Sequence, residues 1–144
     1  MKIRKGKLAD LQEVYKILNK TPELHRGAGG EQYSKAWVKT ALTDKERELF
    51  LIADEKNNVI GLLSAELWKN KKYSFFIDIF VKPEWRKKGV ASILLKEYEK
   101  ICKRMGIKMF MALVLITNKR MQNFIEKREY KKGNKVYFYE KRLK

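Results

Sequence analysis

The sequence has little of what many small domains use to brace themselves or to bind metal: one cysteine, one histidine and two prolines in 144 residues. A lone Cys102 excludes an internal disulfide and suits a reducing compartment. With His25 as its only histidine, the chain also lacks the roughly four ligands of a structural zinc site, so no metal is expected. No apolar run approaches the roughly 18–20 residues that span a bilayer. The opening charges are not followed by the continuous apolar stretch of a secretory signal. These absences point to a cytoplasmic protein that does not engage membrane. There is no repeat, low-complexity block or linker either, so residues 1–144 are read as one domain. An apolar content of 44%, with 12% aromatics, is enough for a packed core and argues against disorder.

Acidic residues are also scarce, and the imbalance is uneven. The net charge is +17. Residues 1–81 carry 15 Lys/Arg against 11 Asp/Glu, and residues 82–144 carry 19 against 6. Such a field draws nucleic acid, an anionic membrane surface or a polyanionic small molecule. A lysine-rich solvated surface accounts for part of the total, but not for its concentration after residue 81.

Periodicity gives the element order. Residues 2–6 read as a short strand, followed by a helix from about Leu8 with Leu8, Leu11, Val14, Tyr15 and Leu18 on one face, ended by Pro22. A glycine-rich loop (Gly27, Gly29, Gly30) and a second short helix follow. Residues 49–53 and 59–68 form a hairpin turned at Lys56-Asn57-Asn58. "YSFFIDIFVKP" reads as a central strand buried on both faces. From Gly89 the period becomes helical (Val90, Leu94, Tyr98, Ile101, Met105), and Gly106 stops it. "KMFMALVLI" is another buried strand, "NKRMQNFIEKRE" a helix, and "KVYFYEKRL" an alternating terminal strand. The order β-α-α-β-β-β-α-β-α-β describes a mixed α/β domain.

The stretch "RKKGVA" joins the central strand to the long helix. First-turn amides of a helix have no intrahelical partners, and the helix dipole adds partial positive charge there. Gly89 lets a ligand approach the main chain, Ala91 keeps the next turn low, and Arg86, Lys87 and Lys88 stand close. A pyrophosphate fits such a place. On pattern alone, a basic turn before a helix is equally an ordinary solvated corner.

The residues Val81-Lys82-Pro83-Glu84-Trp85-Arg86-Lys87-Lys88-Gly89-Val90-Ala91 resemble the V-x-P-x-[YW]-[RQ]-x-x-G-x-[GA] segment of GNAT-family N-acetyltransferases. The resemblance runs almost end to end, through the first strand and two helices, the hairpin arm, Asn118 after the next strand, and "VYFYEKRL", which is similar to the terminal strand of many members. It implies a single GNAT-like domain whose sheet splits beside the strand before the signature, with acetyl-CoA as cosubstrate. It further implies main-chain pairing of the pantetheine with Ile79, Phe80 and Val81. The pyrophosphate would lie on the amides from Arg86 through Lys87, Lys88, Gly89, Val90 and Ala91 to Ser92, with Asn118 near the pantetheine or the cofactor's far end. A basic cofactor-binding half then suits a strongly anionic coenzyme A.

The implied chemistry is direct attack of a neutral primary amine on the thioester in a ternary complex. It needs a deprotonated amine, donors for the developing oxyanion and a proton for the thiolate. Amides near Phe80 and Val81 would polarise the carbonyl. Ile125 stands where many members place a tyrosine, and Glu129 where a glycine is usual, so no general acid is assigned: Tyr130, Tyr137, Tyr139 or water remains. The segment 77–81 resembles the D-[LF]-x-V stretch of members acting on small amines and makes Asp78 the candidate amine-facing base. An ion pair or a wet strand edge are the plainer readings of Asp78, and solvation that of Glu66. If no strong base exists, an α-amine (pKa about 8) is easier to deprotonate than a lysine (about 10.4), which favours peptide N-termini or small amino-acid-like amines. The acceptor, protein or small molecule, and the choice between monomer and homodimer stay open. His25 reads as a solvated surface histidine, with contact to substrate as the alternative, "RGAGG" as a mobile loop near the acceptor site, Cys102 as core, and Trp37, Trp68 and Trp85 as packing or pocket lining. The rival is a binding module: a catalytically weakened member of this fold, or a nucleic-acid binder using the basic half and Phe124, Tyr130, Tyr137 and Tyr139. No nucleic-acid motif supports the latter.

Overall fold

A computed structural model describes residues 1–24 and 33–143; His25 and the glycine-rich loop lie outside them. Strand β1 (Lys2–Lys5) leads through a 3-10 turn to α1 (Leu11–Lys20), then to α2 (Lys35–Thr43), β2 (Glu48–Glu55), β3 (Asn58–Trp68), β4 (Tyr73–Val81), α3 (Val90–Arg104), β5 (Met109–Ala112) and α4 (Lys119–Glu126). The strands lie in the order β1-β2-β3-β4-β5. All neighbours are antiparallel except β4 and β5, which the α3 crossover must join in parallel. The β2–β3 turn places Lys56 and Asn57 at φ 51° and 67°, the double positive-φ turn whose twist suits a tight hairpin.

Alternation along β2 explains the layers. Leu49, Leu51 and Ala53 face α3, whose Val90, Leu94, Leu95, Tyr98 and Cys102 recur at helical spacing. Phe50 and Ile52 point the other way, onto Val14, Leu18, Val38 and Leu42 of α1 and α2. Each such side chain withdrawn from water contributes roughly 1.5–3 kcal/mol before entropy is counted. The α3 layer meets the sheet closely because of Gly61. A Cβ there would stand 2.9 Å from Phe80 O and 3.2 Å from Val90 Cγ1. Its absence lets the first turn of α3 sit on β3 and β4, next to the split in the sheet.

Several expectations are corrected. Leu8 is exposed in the 3-10 turn, and the helix begins at Leu11. Strand β4 is not buried on both faces: Tyr73, Phe75, Ile77 and Phe80 are only half-buried, because α1 and α2 pack over β2 rather than β4. Strand β5 takes only the first part of "KMFMALVLI" and is partly exposed. Residues 135–143 form no strand. Their β-forming side chains suit a pleated surface, but among the described residues no strand pairs with them. Cys102 is buried, as read.

Candidate active site

The β4–β5 ladder runs only from Tyr73 opposite Met109 to Phe76 opposite Ala112, whereas β4 continues to Val81. The sheet therefore opens along the last residues of β4. Lys82 N donates to Ile60 O at 2.9 Å, and Phe80 stands opposite Leu62. Main-chain polar groups alternate in direction along a strand. Of the three strand residues expected along the pantetheine, Ile79 and Val81 thus turn main-chain groups to the open side, and Phe80 turns its own N–H and C=O to β3. The Val81 carbonyl is already engaged, since Arg86 Nε donates to it at 2.9 Å.

The chain then turns through Pro83–Trp85 into α3. Arg86 N donates to Pro83 O, so its amide is taken. Among the described residues, no main-chain acceptor takes the amides from 87 to 92. Lys87 and Gly89 adopt φ 61° and 83°, which bends these N–H groups into one concave run at the helix start. Nothing lies within 4 Å of the position a Gly89 Cβ would fill. Glycine is therefore required by backbone angle rather than by crowding, and the space above it is open. Donors without partners, a helix N-terminus and free space fit a pyrophosphate.

The cations around this run come from the turn before α3, from α4 and from the residues just after α4. Burial, and then the nearby Arg120, lower the Arg86 pKa; two cations held together favour an anion between them. Lys88 Nζ sits 5.1 Å from the Trp85 ring centre. Arg128 donates from Nη2 to Ser92 Oγ and from Nη1 to Phe124 O at 2.7 Å, with its guanidinium 3.8 Å from the Phe124 ring centre. It ties the start of α3 to the end of α4. Arg120 and Arg128 escaped the sequence reading, whose only available signal was their place on the helix after Asn118. Asn118 itself caps that helix, its Oδ1 accepting from Met121 N at 3.1 Å, which leaves its side-chain NH2 for other partners.

Asp78 lies on the α1/α2 face, opposite Ser64, beside a bulge in β4 where Ile77 is the extra residue between the Ser64–Asp78 and Ala65–Phe76 pairs. It is 1% exposed. Tyr33 Oη donates to its Oδ2 at 2.9 Å, with Oδ1 at 3.1 Å, and Ser64 Oγ donates at 3.3 Å. Tyr33 Oη also lies 3.1 Å from Leu24 O; with one proton, it serves one acceptor at a time. The Trp37 ring packs on Tyr33 at 4.3 Å. Tyr33, too, was missed: one tyrosine ahead of a helix cap carries no sequence signal.

On the same face Glu66 stands opposite Glu48 and accepts from Trp68 Nε1 at 3.3 Å. The two glutamates and Trp68 line an open depression of about 610 Å³. Burial, then Glu66 and Asp44, push the Glu48 carboxyl up to about 7. Among the remaining hydroxyls, Tyr130 is half-buried and donates to Glu99 Oε1 at 3.0 Å. Burial and Glu99 raise its pKa far above the usual phenol range, so it holds its proton. Ile125 packs against the core beside it. Tyr137 and Tyr139 are exposed. No described helix is long and apolar enough to cross a membrane, and no metal-ligating cluster occurs among the described residues.

Comparison with known proteins agrees with this fold. A spermidine N(1)-acetyltransferase of Thermoplasma acidophilum is 26% identical over 121 residues, 74% of this chain and 73% of the relative. The PaiA N-acetyltransferase of the same organism, solved with coenzyme A, superposes with a TM-score of 0.77 at 23% identity over 88% of this chain and 87% of that one. The aminoglycoside 6'-N-acetyltransferase AAC(6')-IG of Acinetobacter haemolyticus gives 0.74 at 19% identity over the whole of both chains. The sequence profile of the acetyltransferase (GNAT) family covers residues 11–130. The chain therefore belongs to the acetyltransferase (GNAT) family, and its cosubstrate is the acetyl-CoA that those enzymes use.

Proposed function

We propose that this acetyltransferase acetylates a small primary amine bearing more than one positive charge. The observation that carries this reading is the placement of Asp78, Glu66 and Glu48 on one face of three neighbouring strands, beside the end of the β4–β5 ladder. Carboxylates one strand apart and two residues along lie roughly 7–8 Å from each other, a spacing that suits the separated ammonium groups of one short molecule. The names of relatives acting on spermidine and on aminoglycosides support the same class over a peptide N-terminus.

Acetyl-CoA supplies an activated acetyl thioester when bound. The amides of residues 87–92 hold its pyrophosphate, with Arg86, Arg120 and Arg128 around them, and the main chain of Ile79 and Val81 lies along the pantetheine. An amide on the open side of β4 polarises the carbonyl as negative charge develops on it. Asp78 accepts the proton of the attacking ammonium. Because it is 1% exposed, the proton reaches it through Tyr33, whose hydroxyl passes its own proton to the carboxylate as it takes up the new one. The neutral amine then forms the C–N bond, the C–S bond breaks, and water carries the second proton lost by the acetylated nitrogen to the departing thiolate, since Ile125 cannot donate one. A thiolate whose thiol pKa is about 8–9 leaves without a strong acid.

The test is an acceptor panel read by free-thiol release from acetyl-CoA: spermidine, an aminoglycoside, a monoamine and a peptide with a free N-terminus. The multiply charged amines should give the highest kcat/KM, and Glu66→Gln with Glu48→Gln should reduce that preference. Equal rates for the monoamine or the peptide would overturn this assignment.

A further inference from the structure

Strand pairing puts five large side chains on the face that carries Asp78, Glu66 and Glu48. Trp68 stands opposite Tyr73, and Glu66 opposite Phe75; Met109 and Met111 continue the two rows on β5. Alternation turns their neighbours Leu67, Phe76 and Phe110 to the α3 core instead. Helices α1 and α2 pack over β2, and none of the five belongs to the core beneath them. Trp68 and Met109 are each 42% exposed, and Tyr73, Phe75 and Met111 are half-buried. The Trp68 ring leans on Phe75, with centres 6.1 Å apart, and its N–H donates to Glu66, which holds the indole beside the carboxylate. Lys71 Nζ stands 5.8 Å over the same ring, within the reach of cation–π attraction. The ring therefore already receives an ammonium group.

We propose that this aromatic and methionine face carries the methylene chain of a linear polyamine, a triamine or longer, with its far ammonium on the Trp68 ring. The inference rests on the multiply charged acceptor proposed for the same site. Trp68 lies four residues along β3 from Ser64, which faces Asp78, or roughly 13 Å. A diamine of a few methylenes does not span that length. The ammonium groups meet Asp78, then Glu66 with Glu48, then the Trp68 ring, and the methylenes between them lie against the apolar face. Thioether and aromatic side chains adapt to such a chain. A polyhydroxylated amine fits poorly, because a hydroxyl set against this wall loses water without gaining a partner. Of the five side chains only Trp68 and Tyr73 carry a strong hydrogen-bonding group, and the Trp68 N–H is already given to Glu66. Lys71 stands where the far ammonium would, so it competes with the acceptor for the ring.

Steady-state acetylation of putrescine, spermidine, spermine and an aminoglycoside, read by thiol release, tests this. The wild type should give its highest kcat/KM with spermidine or spermine. Trp68→Leu should raise KM for these two by about twofold to thirtyfold, the range of a cation–π contact. It should leave KM for putrescine and the aminoglycoside in place. Trp68→Phe should recover most of the affinity, and Lys71→Ala, which vacates the ring, should lower KM for the long amines. Calorimetric titration with acetyl-CoA checks that each variant is folded; should Trp68→Leu lose that binding, Lys71→Ala, on an exposed turn, decides alone. A preference for the aminoglycoside, a spermine KM indifferent to Trp68, or one raised by Lys71→Ala would overturn the proposal. The multiply charged acceptor would survive those results as long as Glu66→Gln with Glu48→Gln still reduces the preference for it. A monoamine used as well as spermine, or no polyamine used at all, would overturn both.

Discussion

The Tyr33 hydroxyl lies 2.9 Å from Asp78 Oδ2, joining the residue just before α2 to the middle of the strand that borders the split in the sheet. General acid–base groups contribute on the order of 10²–10⁴ in rate. Tyr33→Phe should lower kcat with acetyl-CoA affinity unchanged, and should shift the acidic limb of the kcat/KM pH profile. Asp78→Asn should lower kcat further. If both variants keep the wild-type rate and pH profile, the pair is structural only, and the measurable effect would be a stability loss of about 1–3 kcal/mol from disturbed buried hydrogen bonds.

Glu129 adopts φ 69°, a left-handed angle that favours glycine. A side chain in that region costs roughly 1–2 kcal/mol. Glu129→Gly should therefore raise Tm by a few degrees by calorimetry, tempered by the added freedom of the unfolded chain. An unchanged or lower Tm would show that the turn is relaxed as it stands.

At Gly61, where a Cβ would meet Phe80 O at 2.9 Å, Gly61→Ala should push α3 off the sheet. Both denaturant stability and acetyl-CoA affinity should fall, because the same turn holds the free amides. An affinity loss without a stability loss would contradict the close approach.

Glu48 has a carboxyl pushed up to about 7, so its folded pKa exceeds its unfolded one. The folded state then holds the proton more tightly, and stability rises as pH falls from about 7 toward the unfolded value near 4.5. Asp10 and Asp54 are held low by Arg4; their contribution is lost only below the unfolded carboxylate range, outside that window. Urea denaturation at pH 8 and pH 5.5 should show the gain at the lower pH in the wild type and a smaller one in Glu48→Gln.

Arg128 bridges Ser92 and Phe124. Arg128→Ala should weaken acetyl-CoA binding about tenfold, the order of one charge-assisted hydrogen bond. Lysine should rescue it poorly, since a point charge cannot serve both acceptors and the ring.

What could be read from the sequence was whatever depends on local pattern. The period change at Gly89 located α3, and alternation located β2 and β3. The basic turn with one glycine located the free amides, because helix starts and positive φ are local properties. What depends on tertiary placement was not legible. Which way Phe80 turns its main chain follows from register with β3. Tyr33, Arg120, Arg128 and Glu48 join the site only through elements distant in sequence. Residues 135–143 show the reverse: the alternation reads as a strand, but the structure forms none there.

The central claim, that residues 86–92 hold acetyl-CoA, is tested most directly by calorimetric titration of the protein with acetyl-CoA, repeated with Gly89→Glu. At φ 83° with open space above it, that substitution would place a carboxylate where the proposed site holds the pyrophosphate. The account predicts micromolar binding by the wild type and none by the variant. Equal binding by both, or none by the wild type, would contradict it.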